Sequence, residues 1–298
     1  MNRTVKIILI IAAVLIPVGI IIAGLGIFFG GKTGWSMSAG DGGTVVMSDA
    51  VEGSVDLKDF DSLNLKVASM DVNIMRGDSY KLTYRTEKGF EPQISEENGT
   101  LSVTQPSKVI TFFSFDFDRE SSTYTITVPE DNSGIKIEAV SSSGDIMIDR
   151  IKASGAVKTS SGDVLLNDIE GSDLSVSTSS GEINSDKVKV KEITLSSSSG
   201  DIAMLRTQTD DINGNTSSGE IEIYDSAIGN ATFMASSGDV KLELNGDKDD
   251  YSYDVKVSSG DININGEEVD GKSYSANEGK DKKISVKTSS GDVEISVN

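Results

Sequence analysis

The chain has 298 residues, of which 47 are acidic and 27 are basic, and its formal net charge is −20. It contains no cysteine and no histidine, which excludes disulfides, thiolate metal sites, thiol nucleophiles and the imidazole base of most hydrolytic triads. Because so acidic a chain is repelled by phosphate backbones, we expect no nucleic-acid partner.

The first 31 residues have the character of a membrane anchor. Residues 7–31 are uncharged and mostly apolar, and they follow Arg3 and Lys6. As a helix this run is about 37 Å long, which is enough to cross a bilayer with some tilt. Because basic residues favour the cytoplasmic side, residues 1–31 predict a single-pass signal anchor in a cell membrane, with the body of the protein extracellular. A cleaved signal peptide is the alternative.

The next two segments lead into a repeat. Residues 32–54 are rich in Gly and Ser and lack periodicity, which predicts a flexible tether. Residues 55–134 hold short alternating apolar runs separated by turn signals, so we interpret them as a diverged β region that caps or begins a solenoid. Met70 stands in this region like the glycine of a diverged repeat. The phenylalanine-rich stretch at residues 111–118 predicts either a buried strand face or cap, or an exposed patch.

Residues 135–298 are organised by one repeated phrase, Ser-Ser-Gly-acid-(Ile or Val). It occurs eight times, and successive glycines are 18, 19, 19, 19, 19, 22 and 31 residues apart. A period near 19 residues is typical of stacked coils. We assign the structural turn of each coil to these pairs of glycine and acid: Gly144 and Asp145, Gly162 and Asp163, Gly181 and Glu182, Gly200 and Asp201, Gly219 and Glu220, Gly238 and Asp239, Gly260 and Asp261, and Gly291 and Asp292.

Apolar residues recur at even offsets on both sides of each glycine, which indicates strands with one buried face. One coil cannot bury its single apolar face, whereas neighbours stacked about 4.8 Å apart join those faces into a continuous core. The sequence therefore predicts an all-β fold, a parallel β-helix or β-solenoid with coils of about 19 residues, preceded by one N-terminal transmembrane helix. Glycine is expected at each corner because the turn requires a positive φ.

The acid after each glycine has two interpretations. Carboxylates stacked in one column repel one another, so each needs compensation. In the first interpretation, each carboxylate accepts hydrogen bonds from backbone N–H or serine hydroxyl groups at its own turn. The second is a ladder of calcium ions, which bind clustered oxygens, and we expect no other cofactor. Because the paired serines occur in every repeat, we interpret them as structural groups and not as nucleophiles.

The last two repeats are lengthened by polar insertions at residues 245–250 and 265–283. Insertions in solenoids emerge as loops on one face, which is often the binding face. These loops are therefore candidates for recognition, with plain surface loops as the alternative.

Repeats such as TSSGDVLLNDIEGSDLSVSTSSGEI and VKTSSGDVEISVN, together with the N-terminal anchor and the Gly-rich tether, resemble the bacterial putative-adhesin β-repeat family. This family is a domain of unknown function, and LiaG-like cell-envelope proteins belong to it. The resemblance covers roughly residues 55–298. It implies a membrane-anchored surface protein in a bacterial cell membrane, with no catalytic residues to carry over.

Three functions compete. The first is a non-enzymatic, membrane-anchored adhesin or envelope scaffold that contacts the membrane through its helix and a cell-wall polymer or envelope protein through its body. The second is a carbohydrate-active β-helix enzyme with paired carboxylates, for example Asp210 and Asp211 or Glu267 and Glu268. The third is a calcium-dependent surface rod. The uniform repeat, without a singular polar constellation, favours the first.

Overall fold

The computed structural model describes residues 50–106 and 122–298. The predicted membrane anchor, residues 32–49 of the predicted tether and the phenylalanine-rich stretch lie outside the described residues. Within these two ranges, no helix is long and apolar enough to cross a membrane. The helical content of the same ranges is one 3-10 turn, Lys248–Asp250, and the other regular elements are β-strands.

The described residues form 23 strands. The first eight are β1 Ala50–Asp56, β2 Ser62–Lys66, β3 Asp71–Gly77, β4 Lys81–Glu87, β5 Gln93–Glu97, β6 Thr100–Thr104, β7 Thr123–Pro129 and β8 Ile135–Val140. The next eight are β9 Ile146–Asp149, β10 Ala153–Lys158, β11 Val164–Glu170, β12 Asp173–Ser177, β13 Ile183–Ser196, β14 Ile202–Leu205, β15 Gln208–Thr216 and β16 Ile221–Ala235. The last seven are β17 Val240–Leu244, β18 Tyr251–Ser259, β19 Ile262–Ile264, β20 Glu267–Glu268, β21 Ser273–Ala276, β22 Lys282–Ser290 and β23 Val293–Val297.

These strands build the arms of ten stacked coils, in which a first arm leads into a corner and a second arm leaves it; the residues between the arms of the coil of β6 and β7 lie mostly outside the described ranges. In stacking order the coils combine β6 with β7, β2 with β3, β8 with β9, β10 with β11, β12 with β13, β13 with β14, β15 with β16, β16 with β17, β22 with β23, and β18 with β19. Neighbouring coils pair in parallel and in register, so Val157 lies between Ala139 and Val176. The predicted all-β parallel solenoid is confirmed for the described part of the chain.

The apolar columns form the core. The Ile or Val two residues after each repeat glycine is at most 1 % exposed in all eight repeats. Burial of one such side chain contributes about 1.5–3 kcal/mol relative to exposure, and the stack repeats this contribution in every coil. Along the arms, buried and exposed residues alternate, as in β8, so one face of each strand packs inward.

The coils do not stack in sequence order at the N-terminal end. The coil of β6 and β7 lies outermost, although the coil of β2 and β3 precedes it in the chain and lies between it and the coil of β8 and β9. Three antiparallel pairings cover this end: β4 with β7, β1 with β4, and β5 with β6. Residues 55–134 therefore contribute two coils and a set of antiparallel strands.

The same exchange closes the C-terminal end. The last coil of the chain, β22 with β23, inserts between the coil of β16 and β17 and the coil of β18 and β19. The long steps of 22 and 31 residues arise because the chain passes over one layer and returns to fill it. The insertion at residues 265–283 supplies β20 and β21, which pair antiparallel with β19 and β18. The two lengthened repeats thus allow the last coil of the chain to fill the layer between two earlier coils.

Strand β1 includes the last five residues of the predicted tether. Residues 50–54 belong to β1, which pairs antiparallel with β4 from Ala50 opposite Glu87 to Asp56 opposite Lys81. At Gly53 a side chain would overlap the ring of Tyr84 on β4. The Gly and Ser content of the segment suggested flexibility. In these five residues, however, glycine permits the close pairing of two strands.

Removal of the C-terminal coil tests the layer order. A chain that ends at Lys280 lacks β22 and β23, with which β18 and β19 pair in parallel. We expect amide hydrogens of β18 and β19 to exchange faster, on the order of tenfold or more, because their coil loses its neighbour, whereas β10 to β13 keep their protection. Hydrogen–deuterium exchange read by mass spectrometry measures both regions.

The control is a full-length chain cleaved at a protease site inserted after Asn277, where the loop is exposed, so that both coils remain present. It should keep the slow exchange of β18 and β19. If the shortened chain also keeps it, the coil of β18 and β19 stacks without the last coil and the layer order is wrong.

Candidate functional site

The predicted corners lie in one column along the stack. In stacking order the glycines are Gly144, Gly162, Gly181, Gly200, Gly219, Gly238, Gly291 and Gly260, and Met70 takes the corresponding place before Gly144. The carbonyl oxygen of each member occupies the space in which the next glycine would carry a Cβ atom. Only glycine permits so close an approach of one corner to the next.

A positive φ is not what the corner glycines provide, which corrects the expectation from sequence. Among the eight, Gly260 alone has a φ in the left-handed region, at 132°. The left-handed residues other than glycine in the regular coils lie at a second corner, six residues after the glycine. They are Arg150, Asp168, Lys187, Arg206 and Asp225, with φ between 49° and 54°. The corner glycine is therefore required by contact with the adjacent coil.

A buried hydroxyl holds each regular corner from inside. In six repeats the residue three before the glycine is Ser or Thr, and in five of them its oxygen accepts a hydrogen bond from the glycine N–H at 2.8–3.0 Å, whereas Thr288 donates to the carbonyl oxygen of Gly238. The five acceptors are Ser141, Thr159, Thr178, Ser197 and Thr216, each at most 6 % exposed. Sequence reasoning missed them because it considered the two serines that follow. The column of Ser and Thr in the aligned repeats was the available signal.

The aspartates after the glycines form a ladder between coils. Oδ1 of Asp163 accepts the N–H of Glu182 at 2.8 Å. Equivalent bonds of 2.7–3.1 Å join the N–H groups of Asp145, Asp163, Glu220, Asp292 and Asp261 to Oδ1 of Asp71, Asp145, Asp201, Asp239 and Asp292, respectively. The interpretation that these carboxylates accept backbone N–H groups is correct for the kind of donor but wrong for its location, because the donor belongs to the next coil.

The two glutamates interrupt this ladder. Within the described ranges, no hydrogen bond joins the carboxylate of Glu182 to the N–H of Asp201, or that of Glu220 to the N–H of Asp239. The carboxylate of Glu182 instead accepts a bond from Asn184 Nδ2 at 3.3 Å. The extra methylene of glutamate carries its oxygens away from the donor that aspartate reaches.

Main-chain hydrogen bonding also offsets the repulsion between stacked carboxylates. An N–H group that donates to an ionised oxygen makes a charge-assisted bond, which is stronger than a bond between neutral groups. In the part of the chain that the structure describes, no three acidic side chains gather closely enough to hold a metal ion. The aspartate column thus has partners within the protein, in the N–H groups of the adjacent coils.

The paired serines before each glycine are exposed beside this column. Backbone bonds between coils keep them in register, as from Ser237 N–H to the carbonyl oxygen of Ser217 at 2.9 Å. Their hydroxyl groups make no hydrogen bond to any residue in the described ranges. In contrast to the buried hydroxyl one position earlier, these groups are open to solvent or to a ligand.

A groove runs across five coils on this side of the corner column. It has a volume of about 520 Å³, and we call it the serine groove. Each coil contributes the residues four, three and two positions before its glycine, which are residues 196–198, 215–217, 234–236, 287–289 and 256–258 in stacking order. Its charged residues are Lys256 and Lys287.

A second groove, of about 630 Å³, follows the corner that precedes the first arm. Its charged residues are Lys152, Glu170, Lys189, Lys191 and Asp210. Three lysines thus accompany two carboxylates in this groove.

The carboxylates that sequence reasoning proposed for carbohydrate chemistry lie outside the serine groove. Asp210 lines the second groove, whereas Asp211 accepts a hydrogen bond from Asn230 Nδ2 at 2.8 Å. Glu267 and Glu268 are exposed on β20, at the opposite edge of the coil of β18 and β19 from β23. Neither pair lines the serine groove.

Several shifted pKa values trace to contacts between neighbouring strands or residues. A hydrogen bond from Lys256 lowers the pKa of Asp254, and the backbone N–H of Lys58 lowers that of Glu96. A hydrogen bond with Glu222 raises the pKa of Tyr224 to about 12. These shifts describe stabilising surface pairs, one of which, Lys256 with Asp254, borders the serine groove.

The comparisons with known proteins agree with this architecture. A family model described as Toastrack DUF4097 matches residues 60–296. The crystal structure of a putative adhesin from Bacteroides fragilis NCTC 9343 has a TM-score of 0.50 and 13 % identity, and the match covers 84 % of this chain and 97 % of that chain. No curated protein matches this chain.

Two further solved structures come from Parabacteroides distasonis ATCC 8503. One, of a putative lipid binding protein, has a TM-score of 0.46 and 16 % identity and covers 85 % of this chain and 98 % of that chain. The other, of a putative adhesin, has a TM-score of 0.47 and 10 % identity, with the same coverage of both chains. At identities this low, the likeness to the Bacteroides fragilis structure shows the fold alone.

Substitution of a corner glycine tests the close approach of the coils. In Gly181→Ala the new Cβ would overlap the carbonyl oxygen of Gly162, which is backbone and cannot rotate away. We expect the free energy of unfolding to fall by about 3 kcal/mol, as in overpacked cores. Urea denaturation followed by circular dichroism measures it.

Gly279→Ala is the matched control, because nothing lies within 4 Å of its Cβ and its φ of 87° is the sole source of strain. It should cost about 1 kcal/mol. Equal losses in the two variants would contradict the packing explanation.

Completion of the aspartate ladder tests its contribution. In Glu182→Asp the shorter carboxylate is placed to accept the N–H of Asp201, as Asp163 accepts that of Glu182. We expect stability to rise by about 1 kcal/mol, the net value of one such hydrogen bond. Glu192→Asp, on an exposed position of the first arm, shortens a glutamate outside the column and should change stability by less than about 0.5 kcal/mol. An unchanged or lower denaturation midpoint for Glu182→Asp would show that the ladder does not stabilise the stack.

Proposed function

Because the chain belongs to the Toastrack DUF4097 family, we propose that it is a non-enzymatic, membrane-anchored surface protein of bacteria that acts as an adhesin or as a scaffold of the cell envelope. Its body is the β-solenoid, its anchor is the segment of residues 1–31, and its partner is a cell-wall polymer or an envelope protein.

One observation carries this proposal: the groups that repeat at the corners hold one coil to the next. The glycines allow close approach, the buried hydroxyls bind the glycine N–H groups, and the aspartates accept N–H groups of the adjacent coil. A catalytic group is needed once, whereas a group that joins layers is needed in every layer. The repeat is thus accounted for by architecture, which supports a role without catalysis and without a cofactor.

The charge distribution supports the proposed anchor and location. Residues 7–31 are uncharged, Arg3 and Lys6 precede them, and the whole chain carries a net charge of −20. Basic residues before an apolar segment favour retention of the N-terminus in the cytoplasm. A strongly acidic body stays soluble outside the membrane, and its net charge disfavours nucleic acid as a partner.

Cell fractionation and external protease test this proposal. We expect the full-length chain in the membrane fraction, with its body cleaved when protease is added to cells whose wall has been removed, because residues 1–31 hold it at the outer face. A variant without residues 7–31 should remain in the soluble fraction and be protected. A full-length chain that is soluble, or that is protected in the cells without a wall, would disprove the anchor and the location.

Incubation of the purified full-length protein with washed cell-wall material tests the partner and the absence of catalysis. We expect the protein to be retained and no reducing sugar to be released. Release of sugar that is lost in Glu170→Gln or Asp210→Asn, the carboxylates of the second groove, would replace this proposal by the carbohydrate-active enzyme.

A further inference from the structure

The serine groove combines a concave shape, free hydroxyl groups and positive charge. It crosses five consecutive coils, so a ligand that fills it lies along the stack. Each coil contributes the exposed serine two positions before its glycine, and these are Ser198, Ser217, Ser236, Ser289 and Ser258 in stacking order. Neighbouring coils place them about 4.8 Å apart. A ligand with regularly repeated polar groups matches such a row.

The hydroxyl groups of this row are available for binding. Within residues 50–106 and 122–298, none of the five makes a side-chain hydrogen bond. Each hydroxyl donates one hydrogen bond and accepts two, so the row serves ligand hydroxyls and anionic oxygens equally. The hydroxyls of Ser197 and Thr216 lie one position earlier in two of these coils. They already accept glycine N–H groups, so they are less available to a ligand than the five exposed hydroxyls.

The charge of the groove is opposite to that of the chain. Its charged residues are Lys256 and Lys287, which lie on adjacent coils, whereas the chain has a net charge of −20. Lys256 pairs with Asp254 at 2.8 Å. Lys287 makes no ion pair in the described part of the chain, although its charge also helps to lower the pKa of Asp254. Its ammonium group is the free cation of the groove.

The carboxylates nearest to the groove along the chain are Asp254, which pairs with Lys256, and those of the corner column, beyond the serines. Oδ1 of Asp239 and Oδ1 of Asp292 accept backbone N–H groups of the adjacent coils. A ligand in the groove is therefore separated from the acidic column by the second serine of each pair.

An apolar patch interrupts the polar lining in the middle of the groove. Met234 is 49 % exposed and lies between Asn215 and Lys287 in the same row. Ala235 and Val257 take the place of the buried hydroxyl in their coils. Exposed C–H groups of a sugar ring or a polyol chain pack on such a surface, whereas a bare inorganic anion gains nothing from it.

We propose that the serine groove binds a linear, hydroxyl-rich polyanion, either a polyol phosphate or a glycan with carboxylate groups, along the axis of the stack. The serine row hydrogen-bonds the hydroxyl groups of the polymer, Lys287 pairs with its anionic groups, and Met234 packs against its carbon skeleton. This inference rests on the proposed function, because it names the chemistry of the envelope polymer and the surface that holds it.

Binding of the purified full-length chain, in detergent, to three defined polymers tests the inference. The probes are poly(glycerol phosphate), polygalacturonate and neutral dextran, with affinity measured by biolayer interferometry. We expect one of the two polyanions to bind, more weakly as salt is raised, and dextran to bind on the order of tenfold more weakly or not at all. The polyanion with the higher affinity identifies the source of the anionic group.

The repeat supplies matched controls for the groove residues. Lys287→Glu reverses the free cation of the groove, and Lys158→Glu reverses an exposed lysine at the equivalent position, four before Gly162, outside the groove. Ser236→Glu and Ser160→Glu form a second pair, each two positions before its glycine. We expect about tenfold weaker binding for each groove variant and less than about twofold change for each control.

Several outcomes would overturn the inference: equal losses in the groove variants and their controls, no binding of either polyanion, or dextran binding as tight as the polyanions. All four substituted positions are exposed, and thermal melting by circular dichroism verifies that each variant is folded. Fractionation reports on the anchor and location independently, so a surface protein whose groove variants bind normally would refute this inference and leave the proposed function standing.

Discussion

The contact on which the structure depends is the approach of one corner backbone to the next. At each repeat the carbonyl oxygen of one corner fills the position of the missing side chain in the following glycine, as between Gly162 and Gly181. This contact sets the coils at the spacing of parallel strands, and from that spacing follow the register of both arms and the alignment of the apolar columns. Polar groups then satisfy the backbone at the corner: a hydroxyl such as that of Thr178 from inside, and a carboxylate such as that of Asp163 from the adjacent coil.

The polar groups at each corner have two different roles: some stabilise the fold and others are exposed at the surface. The hydroxyl three residues before the glycine is buried and bonded, whereas the two that follow are exposed and have no partner in the described ranges. A sequence rich in serine therefore contains two populations with different tasks, and position in the repeat tells them apart. Lys256 and Lys287 lie on the first arms of two coils. There the exposed serines line a groove whose charge is opposite to that of the chain.

The regular part of the fold was predictable because each of its determinants recurs. The eight Ile or Val residues after the corners indicated parallel stacked strands, and the column is buried throughout. The order of the end coils was not predictable, because Gly291 and Gly260 carry the same local phrase and either would fit next to Gly238. The sequence also could not show why glycine stands at the corner, since a positive φ and a close contact both select glycine. Lys287 gave no signal alone, because its role depends on neighbours that only the layer order brings together.

The exchange of coils at the ends decides when the protein can finish folding. A solenoid in sequence order could add each layer as the chain emerges during synthesis. Here β22 and β23 lie between two coils that precede them in the chain, and Asn298 is hydrogen-bonded to both Leu244 and Gly246. The space for this coil has to stay open, or be opened again, until residues 282–297 have been made. These three coils therefore assemble as one unit, and a chain terminated before β22 leaves the strand edges of β16 and β17 uncovered.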